Sequence, residues 1–211
     1  LSSPIGTPRL AKIIKMKDKP PENLSVAIAV SDITRPVPYK GENGLLPPLL
    51  RQLEAAGIRK ENIKIIVGTG LHRPTTTQEK LAMYGEEVVS NYQIIDHNAD
   101  DPDHLLGLGK SRRGTLVSIN KDFYCSDLKI ATGLVESHFF AGISGGRKAI
   151  CPGLVDVKTI EKFHGPEYLE NPLATNLILD GNPCHEEALE IAQKAAVDFA
   201  INVTLDKDLK L

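Results

Sequence analysis

Residues 24–30 read LSVAIAV, and the polar segment SDITRP follows directly at 31–36. A short, nearly continuous apolar run is typical of a strand that is buried on both faces of a parallel sheet. Pro36 ends the polar segment, which indicates a loop rather than a continued strand. The stretch therefore predicts a buried strand whose carboxyl end opens into a polar loop.

The same order of strand, loop and helix recurs along the chain. Further strands are predicted over 63–67, 93–96, 114–120, 128–132 and 199–205. Helices are predicted over 44–56, 77–84, 157–163 and 184–196. This alternation predicts an α/β fold, Rossmann-like, in which a mostly parallel sheet is flanked by helices in a single domain over residues 1–211.

Composition and charge limit the class of protein. The 211 residues carry a formal net charge of −2 without a long basic run, which argues against nucleic acid as the main partner. The sequence has no run of eighteen apolar residues, so we expect no membrane span. Its three cysteines, Cys125, Cys151 and Cys184, form no CxxC pair, which favours reduced thiols and a cytoplasmic location.

Three polar loops follow predicted strands, at 32–35, 69–73 and 136–148. Ligands bind beyond the carboxyl ends of the strands in parallel sheets, so we expect these loops to meet at one crevice. The third loop is rich in glycine, which lets a backbone approach a ligand closely. An anion at the start of the helix that follows this loop is one interpretation, and a simple turn is the other.

Lys148 ends that glycine-rich loop and is followed by apolar residues. Partial burial would lower the pKa of its amine and make it nucleophilic, whereas a lysine on the surface would have no such role. Arg35 suits a carboxylate or a phosphate. Asp32 suits ribose hydroxyls or a cationic partner, and a structural turn is the alternative for both residues.

His72 and His138 stand out among the six histidines, because each lies in a glycine-containing loop after a strand. If both face one crevice, they supply two proton-transfer groups, as inversion of a stereocentre requires. His164 could cap a helix or bind a metal ion. The other histidines, with His97 in a polar turn, are interpreted as structural: His97, His104 and His185.

Four motifs carry a resemblance to a known family. They are SPIGTP at 3–8, DITRP at 32–36, GTGLHRP at 68–74 and GISGGRK at 142–148. Together and in this order they resemble the N-terminal domain of the nickel-dependent lactate racemase family. That family uses a nickel-pincer nucleotide, a pyridinium-3,5-bisthiocarboxylic acid mononucleotide that holds nickel through one carbon and two sulfur atoms.

The resemblance implies a role for individual residues. Lys148 would form a thioamide link to the cofactor, and His164 would be the protein ligand to nickel. His72 and His138 would exchange the hydroxyl proton of a 2-hydroxyacid while its Cα hydride passes to the pyridinium ring and back. Arg35 and its loop neighbour Asp32 would contact the substrate. Contacts to the nucleotide are implied for Thr69, Gly70, Ser144, Gly145 and Gly146.

The resemblance also implies partners for this chain. These are a small 2-hydroxyacid substrate, pincer-synthesis maturation enzymes, and the C-terminal domain of the family, which we expect to be absent here. The isolated domain is therefore expected to be inactive. Two other functions stay open: a zinc-dependent hydrolase, and a nucleotide- or phosphate-binding module without chemistry. Because many 2-hydroxyacids share one core, the sequence does not identify the substrate.

Overall fold

The computed structural model describes residues 3–207, so the ends of the predicted domain, 1–2 and 208–211, lie outside the described residues. Its strands in chain order are β1 (Val26–Ser31), β2 (Ile63–Gly68), β3 (Gln93–Asp96), β4 (Leu105–Lys110), β5 (Leu116–Asn120), β6 (Leu128–Leu134), β7 (Ser137–His138), β8 (Gly142–Ile143) and β9 (Phe199–Val203). Its α-helices are α1 (Leu10–Lys15), α2 (Leu46–Ala55), α3 (Thr77–Tyr84), α4 (Glu86–Asn91), α5 (Lys121–Cys125), α6 (Gly146–Ile150), α7 (Val157–Phe163), α8 (Pro166–Leu169) and α9 (Pro183–Lys194).

Five strands form one parallel sheet in the order β3-β2-β1-β6-β9. In chain order, β2 pairs with one side of β1 and β3 pairs with β2. The later strand β6 pairs with the other side of β1. The direction of winding therefore reverses between β1 and β6. In open α/β sheets, the crevice for a ligand lies at this reversal, beyond the carboxyl ends of the strands.

The two faces of β1 differ in side-chain size. Val26, Ile28 and Val30 point into one core together with α1 and α2, whereas Ala27 and Ala29 point into a second core with α6, α7 and α9. Successive residues of a strand face opposite sides, so an alternation of large and small residues yields one bulky and one shallow face. The shallow face allows helices to approach the strands closely.

The leucines of α2 recur at helical spacing, which buries one side of that helix against the first core. They are Leu46, Leu49, Leu50 and Leu53. Spacings of three and four residues place side chains on the same helical face. No helix within residues 3–207 is long and apolar enough to cross a bilayer.

The predicted α/β fold with a mostly parallel sheet is confirmed, and the ends of most predicted elements differ by one or two residues. The strand predicted over 114–120 begins at Leu116 and lies outside the parallel sheet, because it pairs antiparallel with β4 in a separate two-stranded sheet. β4 was missed, because its sequence LLGLGK contains two glycines and none of its residues is fully buried. The short helices α1, α4, α5 and α8 and the two-residue strands β7 and β8 were also missed.

The carboxyl end of β6 touches the glycine-rich loop through backbone alone. A Cβ atom added at Gly133 would lie 2.4 Å from the carbonyl carbon of Gly145 and 2.4 Å from the amide nitrogen of Gly146. Real Cβ atoms do not approach backbone this closely. A glycine is therefore required in β6 at this position, and the contact fixes where α6 begins.

The change Gly133→Ala is expected to lower the free energy of unfolding by about 2 kcal/mol, since overpacking at this contact must displace backbone. Urea denaturation measures the loss. The control is Gly107→Ala in β4, where an added Cβ meets no atom within 4 Å. If the two variants unfold at the same urea concentration, the contact does not constrain the fold.

Candidate functional site

A cavity of about 310 Å³ opens at the carboxyl ends of β1, β2 and β6, where the winding of the sheet reverses. The three polar loops that the sequence predicts to meet do line it together, with residues from α6 and α7. Every predicted site residue except Gly146 lines this cavity. They are Asp32, Arg35, Thr69, Gly70, His72, His138, Ser144, Gly145, Lys148 and His164.

His72 is held by the buried carboxylate of Asp32. Nδ1 of His72 lies 2.5 Å from Oδ2 of Asp32, and Oδ1 of Asp32 accepts hydrogen bonds from the amide and hydroxyl of Thr34. An ionised carboxylate only accepts hydrogen bonds, so Nδ1 of His72 carries the proton that is donated. Nε2 of His72 is therefore the nitrogen that can exchange a proton with a ligand. The side chain of His72 is 58% exposed.

Arg35 forms an ion pair with Glu136 across the reversal point, with 2.9 Å between Nη1 and Oε1. The pair ties the loop after β1 to the loop after β6. A guanidinium has five N–H donors, and this bond uses Nη1, so Arg35 retains donors for an anion. Glu136 was not predicted as a partner, because only its position in a polar loop is visible in the sequence.

His138 and Lys148, which line the same cavity, contact each other. Nζ of Lys148 lies 2.9 Å from Nε2 of His138, and Nδ1 of His138 accepts hydrogen bonds from the amides of Ala141 and Phe140. Burial, with the nearby Lys148 and Arg35 cations, lowers the pKa of His138 to about 4. Burial, then the Arg35 charge, lowers the pKa of Lys148 to about 8, as the sequence predicts for a partly buried lysine.

The ring of Phe140 lies close to three predicted site residues. Its ring centre lies 4.5 Å from that of His138 and 5.4 Å from that of His164, and both pairs are edge-on. Nζ of Lys148 is 5.1 Å from the same ring centre. Burial, followed by the Lys148 charge, lowers the pKa of His164. Phe140 was not predicted as a site residue, because a phenylalanine in an apolar stretch is indistinguishable from an ordinary core residue.

The first backbone amide of α6 is already hydrogen-bonded within the protein. The amide of Gly146 donates to Oδ1 of Asn202, a β9 residue that sequence analysis also missed, over 2.7 Å. The hydroxyl of Ser144 donates to the carbonyl of Leu134. An anion at the amide of Gly146, as the sequence suggests, would have to displace Asn202.

The remaining histidines of the sequence analysis lie apart from this cavity. His97 is buried, and its ring bonds to the carbonyl of Val155 and to the side chain of Asn120. Its carbonyl accepts from the hydroxyl of Thr69, which connects it to the loop after β2. His97 therefore supports the site without lining it. The three cysteines are free thiols.

Comparison with known proteins identifies the family. The model of the lactate racemase N-terminal domain matches residues 1–176 of this chain. The chain belongs to the lactate racemase N-terminal domain family. Two proteins named lactate racemase, from Thermoanaerobacterium thermosaccharolyticum and Lactiplantibacillus plantarum, are each 38% identical to it over 211 residues. Each match covers 100% of this chain and 47% of the relative, so the chain spans about half the length of these relatives.

Solved structures support the same grouping. The lactate racemase apoprotein from T. thermosaccharolyticum superimposes with a TM-score of 0.90 and 37% identity, covering 100% of this chain and 48% of that one. A Thermotoga maritima protein superimposes with a TM-score of 0.71 over 94% of this chain and 50% of its own. Its 17% identity makes that second likeness one of fold alone.

The low pKa of His138 predicts a loss of stability in mild acid. In the unfolded chain His138 is protonated near pH 6.5, whereas in the folded protein it is protonated only near pH 4. The free energy of unfolding therefore falls as the pH drops from about 6.5 to about 4. Between pH 7 and pH 5, the protein should lose about 2 kcal/mol more than the variant His138→Asn. Denaturant titrations at both pH values test this. The control His104→Asn, at an exposed imidazole, should behave like the unaltered protein, and equal losses for all three would contradict the prediction.

Proposed function

We propose that this chain is the cofactor-carrying part of a racemase or epimerase of 2-hydroxyacids, which works with a nickel-pincer nucleotide tethered to Lys148. The observation that carries the proposal is that His72, His138, Lys148 and His164 line one cavity at the reversal point of the sheet. The relatives named lactate racemase support the reaction class.

The residues present fit such a group. The lowered pKa of Lys148 suits a nucleophilic amine, and His164 supplies a mostly uncharged imidazole on the same cavity. Within residues 3–207, no three His, Cys, Asp or Glu side chains are grouped to hold a metal ion. A zinc hydrolase needs about three protein ligands, whereas a pincer brings three donor atoms of its own and needs one imidazole. The metal-binding side chains of the cavity therefore fit a nickel-pincer nucleotide better than a zinc ion.

Different groups carry out the hydride transfer, the proton exchange and the substrate binding of the proposed inversion. Acceptance and return of the Cα hydride is the chemistry that the pyridinium ring of the cofactor supplies when it is bound. His72 and His138, from different loops, exchange the hydroxyl proton of the substrate. Asp32 holds the ring of His72 with Nε2 free. Arg35 binds the substrate carboxylate, which keeps the reacting carbon between the two imidazoles.

We attribute the remaining parts of the activity to a chain of the relatives' full length, which is called the complete protein below. Because relatives are about twice as long as this chain, we infer that their second half closes the cavity and completes the substrate pocket. The pincer-synthesis enzymes are the proposed source of the cofactor, in the cytoplasm. Residues 1–211 alone are expected to show little turnover.

Loading is tested by mass spectrometry. When the complete protein is produced together with pincer-synthesis enzymes, peptide mapping should place a covalent nucleotide adduct on Lys148, with one equivalent of nickel. Lys148→Ala should carry no adduct. Lys158→Ala, at an exposed lysine of α7, should load normally. An adduct that persists in Lys148→Ala would exclude the proposed tether.

Proton transfer is tested by racemisation of a panel of 2-hydroxyacids, including lactate, by the loaded complete protein. His72→Ala and His138→Ala should each lower kcat by about 10²–10⁴-fold, the usual contribution of a general acid or base. Both variants should retain adduct and nickel. Unchanged turnover in the two variants would favour a binding module or another catalytic pair.

A further inference from the structure

Asn182 is a fully buried polar side chain whose hydrogen bonds join α9 to the loop after β7. Its Oδ1 accepts from the amides of Cys184 and His185, which caps the start of α9. Its Nδ2 donates to the carbonyl of Phe140 over 2.9 Å and to the carbonyl of Ile178 over 3.0 Å. Capping requires only the oxygen, so the helix alone does not explain the two donors.

The bond to Phe140 reaches His138 through a single peptide group. The peptide between Phe140 and Ala141 has its carbonyl bound by Asn182, and its N–H donates to Nδ1 of His138 over 3.2 Å. A trans peptide is planar, and its C=O and N–H point in opposite directions. Fixing the carbonyl therefore fixes the direction of the N–H. Because Nδ1 accepts this bond, Nε2 is the ring nitrogen that faces Lys148 in the cavity.

We propose that Asn182 is a positioning residue for His138, and that it acts through the Phe140–Ala141 peptide to hold the imidazole with Nε2 toward the cavity. Proton exchange at His138 rests on the proposed function, whereas the hydrogen bonds that orient the ring do not.

The aromatic contacts of His138 do not select one orientation of its ring. Phe139 stacks on the imidazole with 4.9 Å between ring centres, and Phe140 meets it edge-on at 4.5 Å. Both contacts persist when the imidazole turns by 180° about its bond to the Cβ atom, a turn that exchanges Nδ1 with a carbon atom. The N–H of Ala141 distinguishes the two orientations, because it bonds only to the nitrogen.

The segment that precedes Asn182 is packed tightly on the same loop. A Cβ atom added at Gly142 would lie 2.1 Å from the carbonyl oxygen of Ile178, and the amide of Leu177 donates to the carbonyl of Gly142. Leu177 has a φ of 63°, a left-handed conformation that persists in a leucine only where the surroundings hold it. Asn182 therefore bonds to the His138 loop from a closely packed segment, as a positioning residue requires.

The orientation of the ring is measured by ¹⁵N NMR of histidine-labelled complete protein before cofactor loading, with His138→Asn to assign the resonances. Asn182→Ser keeps an oxygen that caps α9 but removes the Nδ2 donor. The Nδ1 resonance of His138 should therefore move downfield, toward that of a ring nitrogen without a hydrogen bond. A proton on Nδ1 in the unaltered protein, or an unmoved resonance in folded Asn182→Ser, would overturn the proposal.

The matched control for this measurement is Asn120→Ser. Asn120 is also buried and caps α5, but its Nδ2 contacts the ring of His97 instead of the His138 loop. This variant should leave the Nδ1 resonance of His138 in place. An equal movement of that resonance in both variants would show that any loss of a buried asparagine disturbs the ring, which would contradict a specific role of Asn182.

The effect on proton transfer is measured by a double-mutant cycle in the loaded complete protein. Asn182→Ser should lower kcat for a 2-hydroxyacid by about tenfold and leave KM nearly unchanged, because a misplaced base slows the chemical step while Arg35 still binds the carboxylate. In the His138→Ala background, the same change should lower kcat by less than about twofold, because the ring on which it acts is already absent. A tenfold loss in both backgrounds, or no loss in either, would refute the positioning role.

A second variant keeps the test decisive if Asn182→Ser does not fold. Asn182→Asp has the shape of asparagine and an oxygen that caps α9, but its carboxylate has no donor for the carbonyl of Phe140. If the loaded protein racemises no 2-hydroxyacid, the proposed function fails and the NMR comparison decides the role of Asn182. If it racemises its substrate while the Nδ1 resonance does not move, the positioning role fails and the proposed function stands.

Discussion

The contact between Gly133 at the end of β6 and the backbone of Gly145 and Gly146 is the constraint on which the site depends. No side chain fits between these segments, so the glycine-rich loop lies directly on the strand end. The shallow face formed by Ala27, Ala29 and Ala131 extends the close approach to α6. Lys148 lies in the first turns of α6, so the distance from loop to strand also sets where its amine stands relative to the cavity.

His72 and His138, two of the histidines that line the cavity, have different surroundings. His72 donates a hydrogen bond through Nδ1 to the carboxylate of Asp32. His138 is buried beside Lys148 and near Arg35, which lowers the pKa of its imidazole.

Much of the fold and the set of cavity residues was predictable from sequence, for a physical reason. Apolar runs such as 24–30 specify strands buried on both faces, and parallel strands bring their following loops to one edge, so Asp32, His72 and His138 had to lie near one another. Partners that depend on three-dimensional packing were not predictable. Asn202 and Phe140 carry no local signal, and β4 pairs outside the main sheet, where its glycines and partial exposure weaken the strand pattern.

A single cavity that holds both the tether and the metal ligand is the central claim. Anomalous scattering at the nickel edge, from crystals of the loaded complete protein, tests it most directly. The account predicts one strong peak at coordination distance from the imidazole of His164, with continuous density from the same group to Nζ of Lys148. A nickel peak away from His164, or density for the nucleotide outside the crevice between β1 and β6, would contradict it.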